Sequence, residues 1–521
     1  MTVSSRPSPQ PADDHVVADQ SAIFDFLADP RSHGIAEAVE RIDTHGAVVF
    51  LAGPFAYKVK RAVLFPFMDF STLEKRRAAC AAEVEISGAG APGLYLGVAP
   101  VVRTASGLAL GGEGETVDYA VKMRRFDTNL TLDKVAARGG LAPDLLKAMA
   151  ATIVTSHRAA PERRGVDTVV RLASYLADNT KEFAARPELF PPREANALAA
   201  AAEKALATIA PLLKARSATG FVRRCHGDMH LRNIVLLDGC PVLFDAIEFN
   251  DDIATCDVLY DLAFLLMDLW RQGLWAEANA ILNRYLWATN DAQVEGLSAL
   301  PFFLSLRAGI RAKVEAAGLA HLSGAQRLEA ETRIREAFQL AQAFLHTSGR
   351  AELWAVGGLS GSGKSTWATA MAPAAGRAPG AVILRSDIER KRLFGIGEVE
   401  RLPPEAYAPN VSEKVYGRLR DLARRVLATG QSVIVDAVHA RPGERDAIEA
   451  VARKAGAPFR GFWLEAPEET LIRRVETRTG DASDANADVV RQQLAYDLGE
   501  IGWARQGRPV SRAPSAAPPS D

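Results

Sequence analysis

The sequence predicts two domains of different fold class: an α+β domain, followed by an α/β domain with a mostly parallel sheet. The chain has 521 residues, 48% of them apolar, which is enough for about two to four domains with large cores. Strand patterns occur in pairs near the N-terminus, and helical patterns dominate the middle of the chain. From residue 353 onward strands and helices alternate, which is typical of a parallel sheet.

Charge and cysteine content indicate which binding partners and which kinds of site are not expected. Lys and Arg number 62 and Asp and Glu number 63, so no net positive field favours nucleic acid or an anionic membrane. The four cysteines form no C-x-x-C pair, which argues against a zinc site and a disulfide framework. We find neither an apolar signal sequence nor a stretch long enough to span a membrane. We therefore expect a cytoplasmic protein that binds neither nucleic acid nor a membrane.

Composition also sets the expected domain boundaries. Polar termini containing proline are expected to be disordered, and the helical middle belongs with the first domain. The predicted segments are a disordered N-terminus at 1–20, a first domain at 21–348, a second domain at 351–505, and a disordered tail at 506–521.

A hairpin pattern near the N-terminus carries two lysines. Residues 47–60 predict two strands around a tight turn, and Lys58 and Lys60 lie two positions apart on one face of the second strand. A helix predicted over 72–86 contains Glu83, which is a suitable partner for a lysine that holds phosphates. The alternative is that both lysines are surface charges on an edge strand.

A polar loop followed by a short hairpin gathers three further candidates. Asp228 and Asn233 lie five positions apart, and a strong Asp238-Gly239 turn then returns the chain to Asp245. A hairpin brings its ends together, so Asn233 and Asp245 should lie side by side, where an amide oxygen and a carboxylate suit Mg²⁺. Asp228 is then placed to accept a proton from an attacking hydroxyl. The alternative is that these are ordinary turn residues.

This set of residues resembles the aminoglycoside phosphotransferase family, a kinase-like fold that acts on small molecules. The resemblance is carried by His226, Asp228, Asn233 and Asp245, with Asp261 at the start of the apolar helix that follows. Protein kinases use the same parts, namely a catalytic-loop Asp, an Asn five residues later and a metal-binding Asp after a hairpin.

The resemblance covers roughly residues 21–345 and implies a domain of two lobes, a small lobe over about 21–125 and a large lobe over about 126–348. It also implies roles for further residues. Lys58, paired with Glu83, is expected to hold the phosphates of ATP; it is preferred to the second lysine because an aromatic residue precedes it, as in the family's strand. Asp261 is expected to steady the catalytic loop. No G-x-G-x-x-G loop precedes Lys58, and the turn at His45 is expected to cover the nucleotide instead.

The second domain opens with a phosphate-binding motif. The stretch from Gly358 to Thr366 fits G-x-x-x-x-G-K-S between a predicted strand and a predicted helix. Backbone N–H groups and the helix dipole would surround phosphate oxygens, Lys364 would reach the β- and γ-phosphates, and Ser365 would bind Mg²⁺. The alternative is a plain Gly-Ser linker. The residues expected to bind ATP are Gly358, Leu359, Ser360, Gly361, Ser362, Gly363, Lys364, Ser365 and Thr366.

Two carboxylates follow later strands of the same domain. Asp387 comes after a strand predicted over 381–385, and Asp436 ends a strand predicted over 432–436. Ligands bind beyond the carboxyl ends of such strands. We expect Asp387 to orient or deprotonate an acceptor hydroxyl and Asp436 to hold Mg²⁺ through water. The alternative is that each caps a helix.

Arg474 and Arg478 are predicted at i and i+4 on one helix face, before a polar stretch at 479–488. The pattern over roughly 351–503 resembles small P-loop kinases, such as gluconate and shikimate kinases, and zeta toxins. The lids of those enzymes close arginines onto the transferring phosphoryl group. The alternative is a solvated arginine face.

Together these features predict a bifunctional, ATP- and Mg²⁺-dependent phosphotransferase that acts on small hydroxyl-bearing molecules. Two other classes remain open at this stage. One is a regulatory ATPase with a non-catalytic, kinase-like sensor domain. The other is a toxin-like kinase that modifies a macromolecule.

Overall fold

The computed structural model describes residues 15–44, 46–65, 68–346, 349–478 and 480–506. His45, predicted to cover the nucleotide, lies outside these residues, as does most of both predicted disordered termini. The chain forms two compact units, the first from 1–168, 216–265 and 314–332 and the second from 169–215, 266–313 and 333–521. These units divide the helical middle of the chain between them, and the predicted domain boundaries stay a prediction.

The first unit contains a six-stranded antiparallel sheet, in the order β1-β2-β3-β8-β6-β7. The strands up to residue 257 are β1 (Glu40–Asp43), β2 (Ala47–Ala52), β3 (Phe55–Lys60), β4 (Leu64–Phe65), β5 (Met68–Asp69), β6 (Tyr95–Thr104), β7 (Gly107–Leu110), β8 (Glu115–Arg124), β9 (Val222–Arg224), β10 (Ile234–Leu237), β11 (Cys240–Leu243) and β12 (Thr255–Asp257). Strand β3 lies between two others, and Lys60 is only 2% exposed. The edge-strand alternative for the two lysines is therefore wrong.

The helices up to residue 345 are α1 (Ser21–Ala28), α2 (Leu73–Gly90), α3 (Leu132–Ala137), α4 (Pro143–Ala159), α5 (Thr168–Ala184), α6 (Pro192–Ala218), α7 (Asp251–Ala254), α8 (Val258–Arg271), α9 (Trp275–Ala288), α10 (Leu300–Ala317) and α11 (Gly324–Leu345). Helix α2 begins where the Thr72 side chain accepts a hydrogen bond from the Lys75 amide, with Glu74 in its first turn. Its buried face carries Glu83, which is fully buried.

Gln20, at the end of the predicted disordered N-terminus, is buried. Its side chain donates to Asp118 Oδ2 at 2.7 Å and to the carbonyl of Lys60 at 2.9 Å. The end of the predicted disordered segment thus packs against the six-stranded sheet.

The second unit contains a five-stranded sheet in the order β14-β15-β13-β16-β17, with every neighbouring pair parallel. The helices and strands from residue 353 onward are β13 (Leu353–Gly357), α12 (Lys364–Met371), β14 (Val382–Arg385), α13 (Ser386–Leu393), α14 (Pro409–Ala428), β15 (Val433–Asp436), α15 (Pro442–Ala455), β16 (Phe459–Leu464), α16 (Glu468–Thr477), α17 (Ala487–Leu494) and β17 (Ala504–Gln506). Strands β13, β14 and β15 are buried along their whole length, as expected of a parallel sheet covered on both faces. The predicted fold class is confirmed.

Helix α9 covers the edge strand β14 with side chains that bond to its backbone. Asn283 accepts from the Ile383 amide at 2.7 Å and donates to the Ala381 carbonyl at 3.2 Å. Asn279 donates to that carbonyl at 3.0 Å, and Trp287 Nε1 donates to the Ile383 carbonyl at 3.0 Å. These side chains form hydrogen bonds with backbone groups that a further strand could otherwise pair with.

An Asn283→Ala variant is expected to lose about 1–3 kcal/mol of stability, because it leaves the buried Ile383 amide without its acceptor. Hydrogen exchange of the segment 381–385 should accelerate, and chemical unfolding should give the free-energy change. Asn196→Ala, at an exposed position of α6, is the control and should change neither quantity. Equal exchange in both variants would contradict the structural role of α9.

Within the residues that the structure describes, no helix is long and apolar enough to cross a membrane.

Candidate functional sites

Lys58 joins two carboxylates in the first unit. Its Nζ lies 2.9 Å from Glu83 Oε1 and 2.5 Å from Asp245 Oδ1. Burial by itself lowers the pKa of Lys58, but Asp245 and Glu83 outweigh it and hold that pKa well above its ordinary value. Likewise burial raises the pKa of Glu83, but the two lysines beside it outweigh this and lower it to about 2. Lys58 and Glu83 are therefore both charged at neutral pH.

The second lysine extends this network to an acid that the sequence analysis missed. Lys60 Nζ lies 2.5 Å from the other oxygen of Glu83 and also contacts Glu248. Burial raises the pKa of Glu248, against the opposing effect of Lys60. Glu248 comes three residues after Asp245, and an acid between apolar neighbours in that loop was the available signal.

The polar loop and hairpin fold as predicted. Strands β10 and β11 pair from Ile234 opposite Leu243, and the Phe244 amide bonds to the Asn233 carbonyl at 3.0 Å, next to Asp245. Asp245 has a φ of 59°, an uncommon left-handed backbone for a residue other than glycine. The hairpin thus brings Asn233 and Asp245 to the same end of the paired strands.

Asp228 and Asn233 are in direct contact. Asn233 Nδ2 donates to the Asp228 carboxylate at 3.1 Å and to its carbonyl at 3.0 Å. His230 Nε2 lies 3.3 Å from the same carboxylate. The Asp228 side chain is 39% exposed and that of Asp245 44%, so both carboxylates can be reached by a ligand.

His226 fixes the loop as a neutral imidazole. Its Nε2 bonds to the carbonyl of Phe244 at 2.9 Å, and its Nδ1 accepts from the Asp228 amide at 3.3 Å. Burial lowers the pKa of His226 despite nearby carboxylates. One ring nitrogen therefore donates and the other accepts.

A buried cluster braces the same loop from behind. Asp261 accepts from the Gly227 amide at 2.8 Å and pairs with His157 at 3.2 Å. Cys225 lies with these two side chains, all three ligand atoms within 4.8 Å of one another. A hydrogen bond with Cys256 and burial raise the pKa of the Cys225 thiol well above its ordinary value, and a neutral thiol is a poor metal ligand. The structure confirms that Asp261 steadies the loop.

The first site has the donor set that Mg²⁺ and a nucleotide require. The carbonyl oxygen of the Asn233 side chain and the Asp245 carboxylate are hard oxygen ligands for Mg²⁺. Lys58 is the cation available to phosphate oxygens, with Glu83 to hold it in place. Asp228 borders this set as the group that could accept a proton.

A Glu83→Gln variant is expected to weaken ATP-analogue binding at this site by about tenfold or more, because Lys58 and Lys60 lose their shared carboxylate. Titration calorimetry with a non-hydrolysable analogue and Mg²⁺, in a Lys364→Ala background, isolates this site. The control is Glu85→Gln, at an exposed position of the same helix. Equal affinities would exclude Glu83 from nucleotide binding.

The second site is a loop in which two glycines, Gly358 and Gly361, cannot be replaced without collision. Gly358 has a φ of 139°, and a Cβ there would lie 2.4 Å from the Leu464 carbonyl oxygen. Gly361 has a φ of 81°, and a Cβ there would lie 2.5 Å from the Leu471 carbonyl oxygen. The loop leads through Gly363, φ 97°, into α12. The strand, loop and helix thus follow one another as predicted.

Lys364, Ser365 and Asp436 converge at this loop. Ser365 Oγ donates to Asp436 Oδ2 at 2.6 Å, and Lys364 Nζ donates to the Leu359 carbonyl at 2.9 Å. Burial lowers the pKa of Lys364 and raises that of Asp436. Asp436 ends β15 and contacts Ser365 rather than capping a helix, so the capping alternative for this residue is wrong.

The loop fits phosphate and a divalent cation. The Ser362 hydroxyl is buried and has no hydrogen-bond partner in the described chain, as expected of a group that awaits a ligand. The Ser365 hydroxyl and the Asp436 carboxylate are the oxygen donors that could hold Mg²⁺ directly or through water.

Asp387 lies in the first turn of α13, within electrostatic reach of Lys364 and Asp436. Arg474 donates to the carbonyls of Gly361 and Ser362, each at 3.2 Å. Arg474 therefore lies against the phosphate loop and is not part of a solvated face.

Arg478 departs from its predicted position. Helix α16 ends at Thr477, and Arg478 has extended backbone, with φ −74° and ψ 133°. The prediction that it continues the helix at i+4 from Arg474 is wrong. Arg478 instead donates to the Ser483 carbonyl at 2.9 Å, holding the segment after the helix, while its charge still acts on Lys364.

Arg385, which the sequence analysis did not select, also belongs to the second site. It ends β14, and its Nε lies 3.6 Å from Asp436 Oδ2. An arginine at the carboxyl end of a predicted strand, directly before the Ser386-Asp387 pair, was the available signal.

Two family models match separate parts of the chain. Residues 121–297 match the model of the phosphotransferase enzyme family, and residues 353–497 match the model of an AAA domain. The predicted resemblance is confirmed: a phosphotransferase-type region precedes a P-loop, kinase-like domain. Both matches support a kinase or phosphotransferase that uses ATP.

The chain is similar to uncharacterized proteins of Mycobacterium tuberculosis strain H37Rv and Mycobacterium bovis. It is 29% identical to each over 469 residues, which cover 88% of this chain and 90% of theirs.

Two solved structures are each similar to part of the chain. A choline/ethanolamine kinase family protein from Mesorhizobium loti is 16% identical over 62% of this chain and 94% of its own, with a TM-score of 0.38. A gluconokinase from Sinorhizobium meliloti is 23% identical over 30% of this chain and 81% of its own, with a TM-score of 0.21.

Proposed function

We propose that the chain is a bifunctional phosphotransferase that transfers the γ-phosphoryl group of ATP to hydroxyl groups of small molecules at two sites. The observation that carries the proposal is the joined set in the first unit. Lys58 bridges Glu83 and Asp245, and Asp228 contacts Asn233 beside them.

In the first site Asn233 and Asp245 hold Mg²⁺, and Lys58 binds ATP phosphates while Glu83 keeps it in position. Asp228 orients the acceptor hydroxyl and accepts its proton as the oxygen bonds to the γ-phosphorus and ADP leaves. Most of the rate gain then comes from positioning and charge stabilisation, as in other phosphoryl transfers.

In the second site the loop from Gly358 to Thr366 binds the ATP phosphates, with Lys364 as their cation and Ser365 and Asp436 as the Mg²⁺ donors. Asp387 orients the second acceptor hydroxyl. Arg474 and Arg478 stabilise the charge of the transferring phosphoryl group. The position of Lys364 supports this assignment: its half-buried ammonium group donates to the Leu359 carbonyl within the loop, and a partly desolvated cation binds phosphate strongly.

The test is ADP release from the full chain, with and without a library of amino-alcohols, sugars and other hydroxylated molecules. Acceptor-dependent ADP release and a phosphorylated product detected by mass spectrometry are expected. Basal hydrolysis unchanged by any acceptor would favour the regulatory ATPase instead. Phosphorylation of protein or RNA alone would favour the kinase that modifies a macromolecule.

A further inference from the structure

Arg385 faces two carboxylates that belong to different parts of the second site. Its side chain is almost fully buried, with 8% of the residue exposed. One end of the guanidinium donates to Asp481 Oδ1 at 2.9 Å, and its Nε lies 3.6 Å from Asp436 Oδ2. That Nε has no hydrogen-bond partner in the part of the chain that the structure describes. Arg385 thus lies between Asp481 and Asp436, and of these two acids it forms a hydrogen bond only with Asp481.

Asp436 is the carboxylate that a divalent cation would use. Its Oδ2 already accepts the Ser365 hydroxyl and faces Arg385. The positive charge of Arg385 works against the burial that raises the pKa of Asp436. A divalent cation at Asp436 would take over this neutralising role and would repel the guanidinium.

Asp481 lies in the segment 480–486 that follows α16. A second acid of the segment, Asp484, pairs with Lys391 at 3.2 Å and accepts the Leu402 amide at 2.9 Å. The segment is therefore fastened at two acids. Asp481 is the acid that Arg385 binds, and Arg385 also faces Asp436.

We infer that Arg385 is a positioning residue that links a divalent cation at Asp436 to the closure of the segment 480–486. Without the cation, Arg385 divides its charge between Asp436 and Asp481. With the cation in place, Arg385 pairs with Asp481 alone and holds the segment more firmly. This inference rests on the proposed function of the second site as a Mg²⁺–nucleotide site.

Two readouts on the full chain test the inference. Hydrogen exchange of 480–486 is measured with and without Mg²⁺ and ADP. The Mg²⁺ requirement is measured by titrating Mg²⁺ at fixed fluorescent ADP, in an Asp228→Asn, Lys58→Ala background that limits binding at the first site. In the otherwise unchanged protein, Mg²⁺ with ADP should slow exchange across the segment.

Arg385→Gln should abolish this slowing and lower the Mg²⁺ concentration for half-saturation by about threefold to tenfold, because a competing cation is gone. Asp481→Asn should abolish the slowing but leave the Mg²⁺ requirement unchanged. Arg385→Lys keeps the positive charge but lacks the planar guanidinium group. The Mg²⁺ concentration for half-saturation should therefore stay unchanged, and Mg²⁺ with ADP should slow the hydrogen exchange of 480–486 less than in the parent protein. Arg453→Gln, at an exposed position of α15, should change neither readout.

A purely structural role for Arg385 would weaken Mg²⁺ and ADP binding together in Arg385→Gln, and that result would overturn the inference. Retention of the slowing in that variant would also overturn it. If Arg385→Gln does not fold, the inference is tested with Arg385→Lys and Asp481→Asn, by the same measurements of hydrogen exchange and Mg²⁺ requirement. Failure of the otherwise unchanged protein to bind Mg²⁺ with ADP would instead refute the proposed function of the second site, and the inference with it.

Discussion

An Asp228→Asn variant is expected to bind ATP normally and to transfer phosphoryl groups about a thousandfold more slowly at the first site. The amide keeps the size of the side chain but cannot accept the acceptor's proton, and proton acceptance matters mostly in the transition state. The Asp228 carboxylate accepts from the side-chain amide of Asn233, whereas Glu83 and Asp245 hold Lys58. The phosphate-binding groups should therefore stay in place.

The measurement is acceptor-dependent ADP release in a Lys364→Ala background, with nucleotide affinity measured in parallel. The control is Asp144→Asn, at an exposed position in the first turn of α4, which should transfer at the parent rate. Transfer at the parent rate by Asp228→Asn would remove this residue from the mechanism.

A Lys364→Ala variant is expected to lose nucleotide binding at the second site by about two to three orders of magnitude. The Lys364 side chain is half-buried and within electrostatic reach of Asp436, and removing the cation that pairs with bound phosphates costs several kcal/mol. Turnover at the first site should continue, because Lys58, Glu83 and Asp245 are untouched.

Nucleotide affinity of the second site is measured by fluorescence titration in the Asp228→Asn, Lys58→Ala background, and turnover of the first site by acceptor-dependent ADP release. Lys454→Ala, at an exposed position of α15, is the control and should alter neither. Loss of both activities in Lys364→Ala would show that the two sites depend on each other.

Local patterns predicted the parts of both sites that lie close together in the chain. The hairpin between Asn233 and Asp245 and the loop from Gly358 to Thr366 are each encoded by a few successive residues, whose turn chemistry and hydrophobic pattern specify the backbone. The strands ending at Asp436 and near Asp387 were found for the same reason, since a buried parallel strand is a short apolar run.

Contacts between distant residues could not be predicted in this way. Lys60 and Glu248 are 188 residues apart, and no local pattern indicates that they meet. Strand β1, Glu40–Asp43, has mostly charged residues and is defined by its pairing with β2. Arg478 was misplaced because a helical spacing does not show where the helix ends.

Because α9 covers the edge strand β14, the P-loop sheet depends on a helix that precedes it in the chain. The covering helix lies at 275–288, inside the region that matches the phosphotransferase family, whereas the strand it covers belongs to the P-loop sheet. An expression product that starts at residue 349 would leave an open row of backbone groups, available for pairing with a second copy. A self-sufficient ATP-binding piece of this protein therefore has to start upstream of Trp275, and grafting it onto another enzyme means transplanting that helix as well.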